Sequence, residues 1–95
     1  MAKRSELGEF ARGFGLLSDG TRLGILKTIA AGPRNVAALC KVLGVKQPTI
    51  SHHLGLLRMG GLAISTRKGK SVIYTIDRAY MKQLAAGIVK LTPRK

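Results

Sequence analysis

The sequence predicts a mainly α-helical fold completed by one β-hairpin, on two observations. Between about residues 5 and 59, apolar side chains recur every three to four positions, which is the period of helices with one buried face. After Gly60 and Gly61, two short runs rich in β-branched residues follow, separated by the basic segment 68–70. A last helical pattern closes the chain, and 95 residues allow a single domain over residues 1–95.

Two helices are predicted in the first third of the chain. The first spans about residues 5–17, where the apolar residues on one face are Leu7, Phe10, Ala11, Phe14 and Leu17. Asp19 interrupts this pattern and can cap a second helix that ends before Gly32 and Pro33. The residues expected to face inward from the second helix are Leu23, Leu26, Ile29 and Ala30.

The segment at about residues 36–59 is predicted to form two helices joined by a tight turn. Asn35 can cap a short helix whose inward residues are Val36, Leu39, Cys40 and Leu43. Gly44 can take the positive φ that ends this helix and turns the chain. Pro48 fits only the first turn of the helix that follows, so it fixes where that helix begins. This arrangement is a helix-turn-helix.

The second of these helices has the two faces of a DNA recognition helix. Ile50, Leu54 and Leu57 recur at i, i+4 and i+7 and define a buried stripe. The outward face begins with small, hydrogen-bonding side chains, which a major groove accepts. The candidate DNA contacts here are Lys46, Gln47, Thr49, Ser51 and His52, whereas His53 is expected to be partly buried.

The segment at about residues 62–76 is predicted to be a hairpin with a loop of three to four residues around Gly69. Its basic tip supplies Arg67, Lys68 and Lys70 as candidate contacts to phosphate or the minor groove. Asp77 can cap a last helix, at about residues 77–91. Helices followed by such a hairpin form a winged helix-turn-helix domain.

Charge indicates the class of partner. The formal net charge is +13, from seventeen lysines and arginines against four acidic residues, and no acidic residue lies between Asp19 and Asp77. A polyanion, here double-stranded DNA, is the natural partner of such a segment. Arg22 lies in the first turn of the helix that crosses the DNA backbone in this fold, so it is a further phosphate candidate. The alternative is that the basic residues only solvate a small protein.

Other classes of protein find little support in the sequence. No apolar run approaches the ~20 residues needed to cross a bilayer, and no hydrophobic signal core follows Met1, so a cytoplasmic protein without membrane contact is expected. The single cysteine, Cys40, is expected in the core and fits a reducing compartment. The acidic residues fall at helix starts and no glycine-rich phosphate loop occurs, so we predict no catalytic residues, no cofactor and no enzyme.

Four motifs in order resemble the ArsR/SmtB family of winged-helix transcriptional repressors. Residues 17–26 (LSDGTRLGIL) are similar to that family's L-x-D-x-T-R-L-x-I-L, and residues 47–54 (QPTISHHL) to its Q-P-T-[VI]-S-x-H-L. Residues 56–62 (LLRMGGL) and 68–74 (KGKSVIY) resemble the end of its recognition helix and its wing. The resemblance covers roughly residues 10–80 and implies a homodimer through the first and last helices.

Apolar stripes on those two helices supply candidate interface residues. They are Phe10, Phe14, Tyr80, Leu84, Ile88 and Leu91. The alternative is that these side chains only complete the core of one protomer.

The resemblance also bears on sensing and on the start of the recognition helix. Metal-sensing relatives carry Cys-x-Cys where this chain has Asn35 and Ala37, and the last helix has no histidine and no acid beyond Asp77. Soft metals require clusters of thiolate or imidazole, so no transition-metal site is expected.

Lys46 stands where the family often places a serine cap.

The sequence therefore predicts a repressor that binds an inverted repeat as a homodimer, with its effector, if any, unknown. Two other interpretations stay open. One is an architectural DNA-binding protein of weak sequence specificity, and the other is a winged-helix module that binds proteins.

Overall fold

The computed structural model describes residues 4–92, with side chains from residue 6 onward. Its elements are α1 (Arg4–Leu16), α2 (Gly20–Ala31), α3 (Val36–Leu43), α4 (Gln47–Met59), β1 (Ala63–Lys68), β2 (Ser71–Ile76) and α5 (Arg78–Leu91). This is the predicted winged helix-turn-helix, with five helices and a two-stranded antiparallel wing. The outermost residues of the predicted 1–95 domain, 1–3 and 93–95, lie outside the described part. None of the described helices is long and apolar enough to span a bilayer.

Three predicted caps begin their helices by the same local hydrogen bond. The side chains of Asp19, Asn35 and Asp77 each accept the backbone N–H three residues further on, at 3.0, 2.8 and 3.0 Å. Each bond satisfies one of the amides that a helix start leaves unpaired. Gly44 ends α3 with φ of +66°, and Lys46 precedes α4 without any side-chain cap.

The core lies where α2, α3 and α4 pack together, closed by β1 and α5. Its buried side chains are Ile25, Leu26, Ile29, Leu39, Ile50, Leu54, Leu57, Leu62, Ala63 and Leu84. The predicted inward face of α2 is wrong at two positions, because Leu23 is 49% exposed and Ala30 is also exposed. Ile25 lies inward instead and is fully buried, since α2 packs against α3, α4 and β2 on the side that carries Ile25 and Ile29.

The wing is tighter than predicted. Its strands pair from Ala63 with Ile76 through Lys68 with Ser71, so the loop has two residues rather than three or four. Gly69 takes the first loop position with φ of +62°, a conformation that suits a two-residue hairpin turn. On the edge of β2 that does not pair with β1, Arg34 and Tyr74 exchange two backbone hydrogen bonds of 3.2 and 2.7 Å. These bonds hold the wing against the α2–α3 loop.

Candidate nucleic-acid interface

The outward face of α4 is exposed, as predicted. Gln47, Thr49, Ser51 and His52 are all exposed, while Ile50, Leu54 and Leu57 on the opposite side are buried. Within residues 4–92, none of these four polar side chains forms an intramolecular hydrogen bond. Their donors and acceptors therefore remain directed to solvent or to a ligand.

Basic residues flank this face at both the turn and the wing. Lys46 is exposed immediately before α4, and Arg67, Lys68 and Lys70 are exposed at the tip of the wing. In the described part of the chain, the one approach of a basic side chain to a carboxylate within 4.0 Å is that of His53 Nδ1 to Asp19 Oδ2. The wing cations thus have no carboxylate partner there, and the positive potential they produce is left uncompensated.

Arg22, the further phosphate candidate, forms side-chain contacts within the protomer. It is half-buried, its Nε donates to the Leu16 carbonyl oxygen at 2.8 Å, and its Nη1 lies 3.2 Å from His53 Nδ1. The guanidinium is thus directed toward the inner side of α4. His53 is partly buried, as expected, with 15% of its side chain exposed.

Asp19 completes this group of side chains. Its Oδ2 accepts the Arg22 backbone N–H and lies 4.0 Å from His53 Nδ1. The Arg22 backbone N–H lowers the pKa of Asp19, because it stabilises the carboxylate; desolvation opposes this shift, and the charge of Arg22 adds to it. The sequence pattern indicates only a capping role for Asp19 and does not connect this residue with His53.

The candidate dimer residues divide into three groups by exposure. Phe10, Phe14 and Tyr80 are half-buried, and Ile88 and Leu91 are exposed, by 51% and 73%. Leu84 is instead buried within the protomer, so its burial needs no partner.

The exposed apolar side chains extend along both terminal helices. Leu7 and Val89 are also exposed, although the sequence pattern does not single them out as interface residues. Between α1 and α5 lies a shallow cavity of about 180 Å³, lined by Leu7, Phe10, Ala11, Phe14, Gly87 and Leu91.

Cys40 is half-buried and packs against the core. Within the described residues, no three or more histidine, cysteine, aspartate or glutamate side chains group closely enough to hold a metal ion.

Known proteins share both the sequence pattern and the fold. The family described as "bacterial regulatory protein, arsR family" matches residues 19–65. The arsenical resistance operon repressor of Escherichia coli is 44% identical over 65 residues, which are 67% of this chain and 56% of that protein. The biofilm growth-associated repressor of Xylella fastidiosa is 34% identical over 84 residues, which are 88% of this chain and 72% of that protein.

A solved structure extends the likeness to almost the whole chain. The homodimeric winged helix-turn-helix DNA-binding domain from Mycobacterium bovis superposes with a TM-score of 0.78 at 31% identity, covering 96% of this chain and 87% of that one. The chain spans only 56 to 58% of the length of three of the curated relatives it matches.

Proposed function

The chain belongs to the ArsR family of bacterial regulatory proteins, and we propose that it is a homodimeric, sequence-specific transcriptional repressor that binds double-stranded DNA. The relatives named above are repressors, and one solved relative is a homodimeric DNA-binding domain. The proposed regulator would act in the cytoplasm, where it meets DNA.

The exposed, unbonded polar face of α4 is the observation that carries this proposal. Gln47, Thr49, Ser51 and His52 lie on a helix whose opposite side is buried, so they are free to meet base edges in a major groove. Gln47 is suited to bidentate contact with adenine. Arg67, Lys68 and Lys70 would hold the flanking backbone, because phosphate contacts position a protein on the duplex.

Dimerisation sets the form of the operator. Two copies related by a twofold axis would place their α4 helices in successive major grooves, about one helical turn or roughly 10 bp apart. The operator is then an inverted repeat, and repression follows from occluding a promoter. The exposed apolar residues of α1 and α5, including Leu7, Ile88 and Leu91, are the surface we propose for the dimer.

We propose that this chain has no site for sensing transition metals. Asn35 and Ala37 offer no thiolate where metal-sensing relatives carry Cys-x-Cys, and Cys40 alone supplies one soft ligand per protomer. Stoichiometric zinc binding at submicromolar concentration by the purified dimer would contradict this. We name no inducer.

Single substitutions separate base contacts from phosphate contacts. Gln47→Ala and His52→Ala should weaken binding to the preferred fragment about fivefold or more, while random DNA is affected little. Lys68→Ala and Lys70→Ala should weaken binding to both and reduce the dependence of affinity on salt. Lys82→Ala, an exposed change on α5, serves as the control. If the helix substitutions lower both affinities equally, direct readout by α4 is wrong.

The net charge of +13 favours one alternative, an architectural protein that coats DNA through phosphates without a defined operator. That protein would bind tightly at low salt yet show no preferred sequence.

A further inference from the structure

Arg22 connects three helices through its own atoms. Its backbone N–H is held by Asp19 at the start of α2, its Nε donates to the last carbonyl of α1 at Leu16, and its Nη1 reaches His53 on α4. A guanidinium presents its donors in a fixed planar fork, so its two bonds define the placement of the Leu16 carbonyl oxygen relative to His53 Nδ1.

His53 links Arg22 to the outward face of α4. The Arg22 guanidinium has only donors, so the 3.2 Å contact requires His53 Nδ1 to be the acceptor. The His53 ring in turn lies edge-on to the ring of His52, with centroids 5.6 Å apart. His52 is exposed on the face proposed to meet the bases, so the part-buried, charge-assisted Arg22–His53 hydrogen bond lies next to that face.

We propose that Arg22 and His53 are positioning residues, which set α4 on α2 and on the end of α1, and that Arg22 does not bind phosphate. The expected effect on DNA binding rests on the proposed function. The Arg22–His53 hydrogen bond itself is present without DNA. This positioning role replaces the role that sequence position suggests for Arg22, because the guanidinium donates inward to Leu16 and His53.

Two pairs of variants test the assignment through DNA binding. Asn carries an oxygen in the place of His53 Nδ1, whereas Leu has a similar shape and no acceptor. His53→Asn should therefore keep the affinity for the preferred fragment within about twofold, and His53→Leu should lower it about tenfold. Arg22→Lys keeps the charge but not the planar fork, and it should lower that affinity as much as Arg22→Met does.

The salt dependence of binding separates positioning from phosphate contact. Removal of one bond to phosphate lowers the slope of log affinity against log salt by about 0.9. We expect Lys68→Met to show such a fall, while Arg22→Met and the control Lys82→Met keep the wild-type slope. A reduced slope for Arg22→Met, with Arg22→Lys close to wild type, would overturn the proposal and make Arg22 a phosphate ligand. Equal affinities for His53→Asn and His53→Leu would also overturn it.

A measurement without DNA keeps this test independent of the proposed function. Hydrogen exchange of the α4 amides in the free protein should accelerate at least about fivefold in His53→Leu and remain near wild type in His53→Asn. If the wild-type protein shows no sequence preference, the proposed function fails, while this exchange result still decides whether the bond fixes α4. Unchanged exchange in His53→Leu counts against the positioning role. If Arg22→Met does not fold, the His53 pair decides alone.

Discussion

Gly13 on α1 lies directly against Leu84 on α5. A methyl group at residue 13 would lie 2.6 Å from Leu84 Cδ2 and 2.9 Å from Tyr80 Oη, closer than van der Waals contact allows. The absence of a side chain at Gly13 therefore lets the first and last helices approach each other, with Leu84 buried between them. Since both helices are proposed to form the dimer surface, their pairing shapes that surface.

Gly13→Ala should lower the free energy of unfolding by about 1 kcal/mol. Overpacking costs about 1–3 kcal/mol, and the better helix propensity of alanine returns about 1 kcal/mol. Gly15→Ala is the matched control, since a methyl group there meets no atom within 4 Å and should stabilise α1. Urea unfolding at one fixed protein concentration measures both. Equal effects of the two substitutions would show that the Leu84 contact is unimportant.

Lys46→Ser should move stability and DNA affinity in opposite directions. Serine can cap α4, which now lacks a side-chain cap, and should raise the free energy of unfolding by about 1 kcal/mol. Loss of the lysine should weaken DNA binding and lower its salt slope by about 0.9 per phosphate contact. Asn35→Ala, which removes an existing cap, should cost about 1 kcal/mol. A rise in both stability and affinity would show that Lys46 contacts no phosphate.

Asp19→Asn should reduce the loss of stability in acid. The pKa of Asp19 is lowered in the folded protein, chiefly by the Arg22 backbone N–H. Its ionised form thus stabilises the fold above the ordinary aspartate pKa of about 4, and this contribution is lost as the pH falls through the folded pKa. Asparagine also caps helices well, so stability near pH 7 should change little. Unfolding midpoints at about pH 5 and about pH 3 measure the effect, and identical losses in the two proteins would contradict it.

Ile88→Glu should dissociate the proposed dimer. Ile88 is 51% exposed on α5, and a charge buried without a partner at an interface is costly. Val42→Glu is the control, because Val42 is 60% exposed but lies on α3. Sedimentation equilibrium should give a dimer dissociation constant raised at least about tenfold for Ile88→Glu and unchanged for Val42→Glu. Equal dissociation constants would place the interface elsewhere.

Features set by local sequence were predicted correctly. Asp19, Asn35 and Asp77 cap their helices through a residue three positions away, and the two faces of α4 follow from its own periodicity. The order of elements and the exposure of the wing cations follow from the same kind of local signal. Whether those exposed residues bind DNA stays a prediction.

Features set by packing were not predictable from the sequence. Apolar residues occur on several sides of α2, so periodicity selects no single face, and the neighbouring elements decide that Ile25 is buried and Leu23 is not. The Arg22–His53 contact joins residues 31 positions apart, which no local pattern indicates. The two-residue wing loop depends on strand register, which the sequence does not determine.

Selection of DNA fragments by the purified protein at about 150 mM salt, followed by sequencing, tests the central claim most directly. That ionic strength suppresses much of the purely electrostatic binding, so enrichment reports sequence preference. We predict an enriched inverted repeat with half-sites about 10 bp apart, or a multiple of that spacing. Tight binding with no enriched motif would contradict a specific repressor and identify an architectural DNA-binding protein instead.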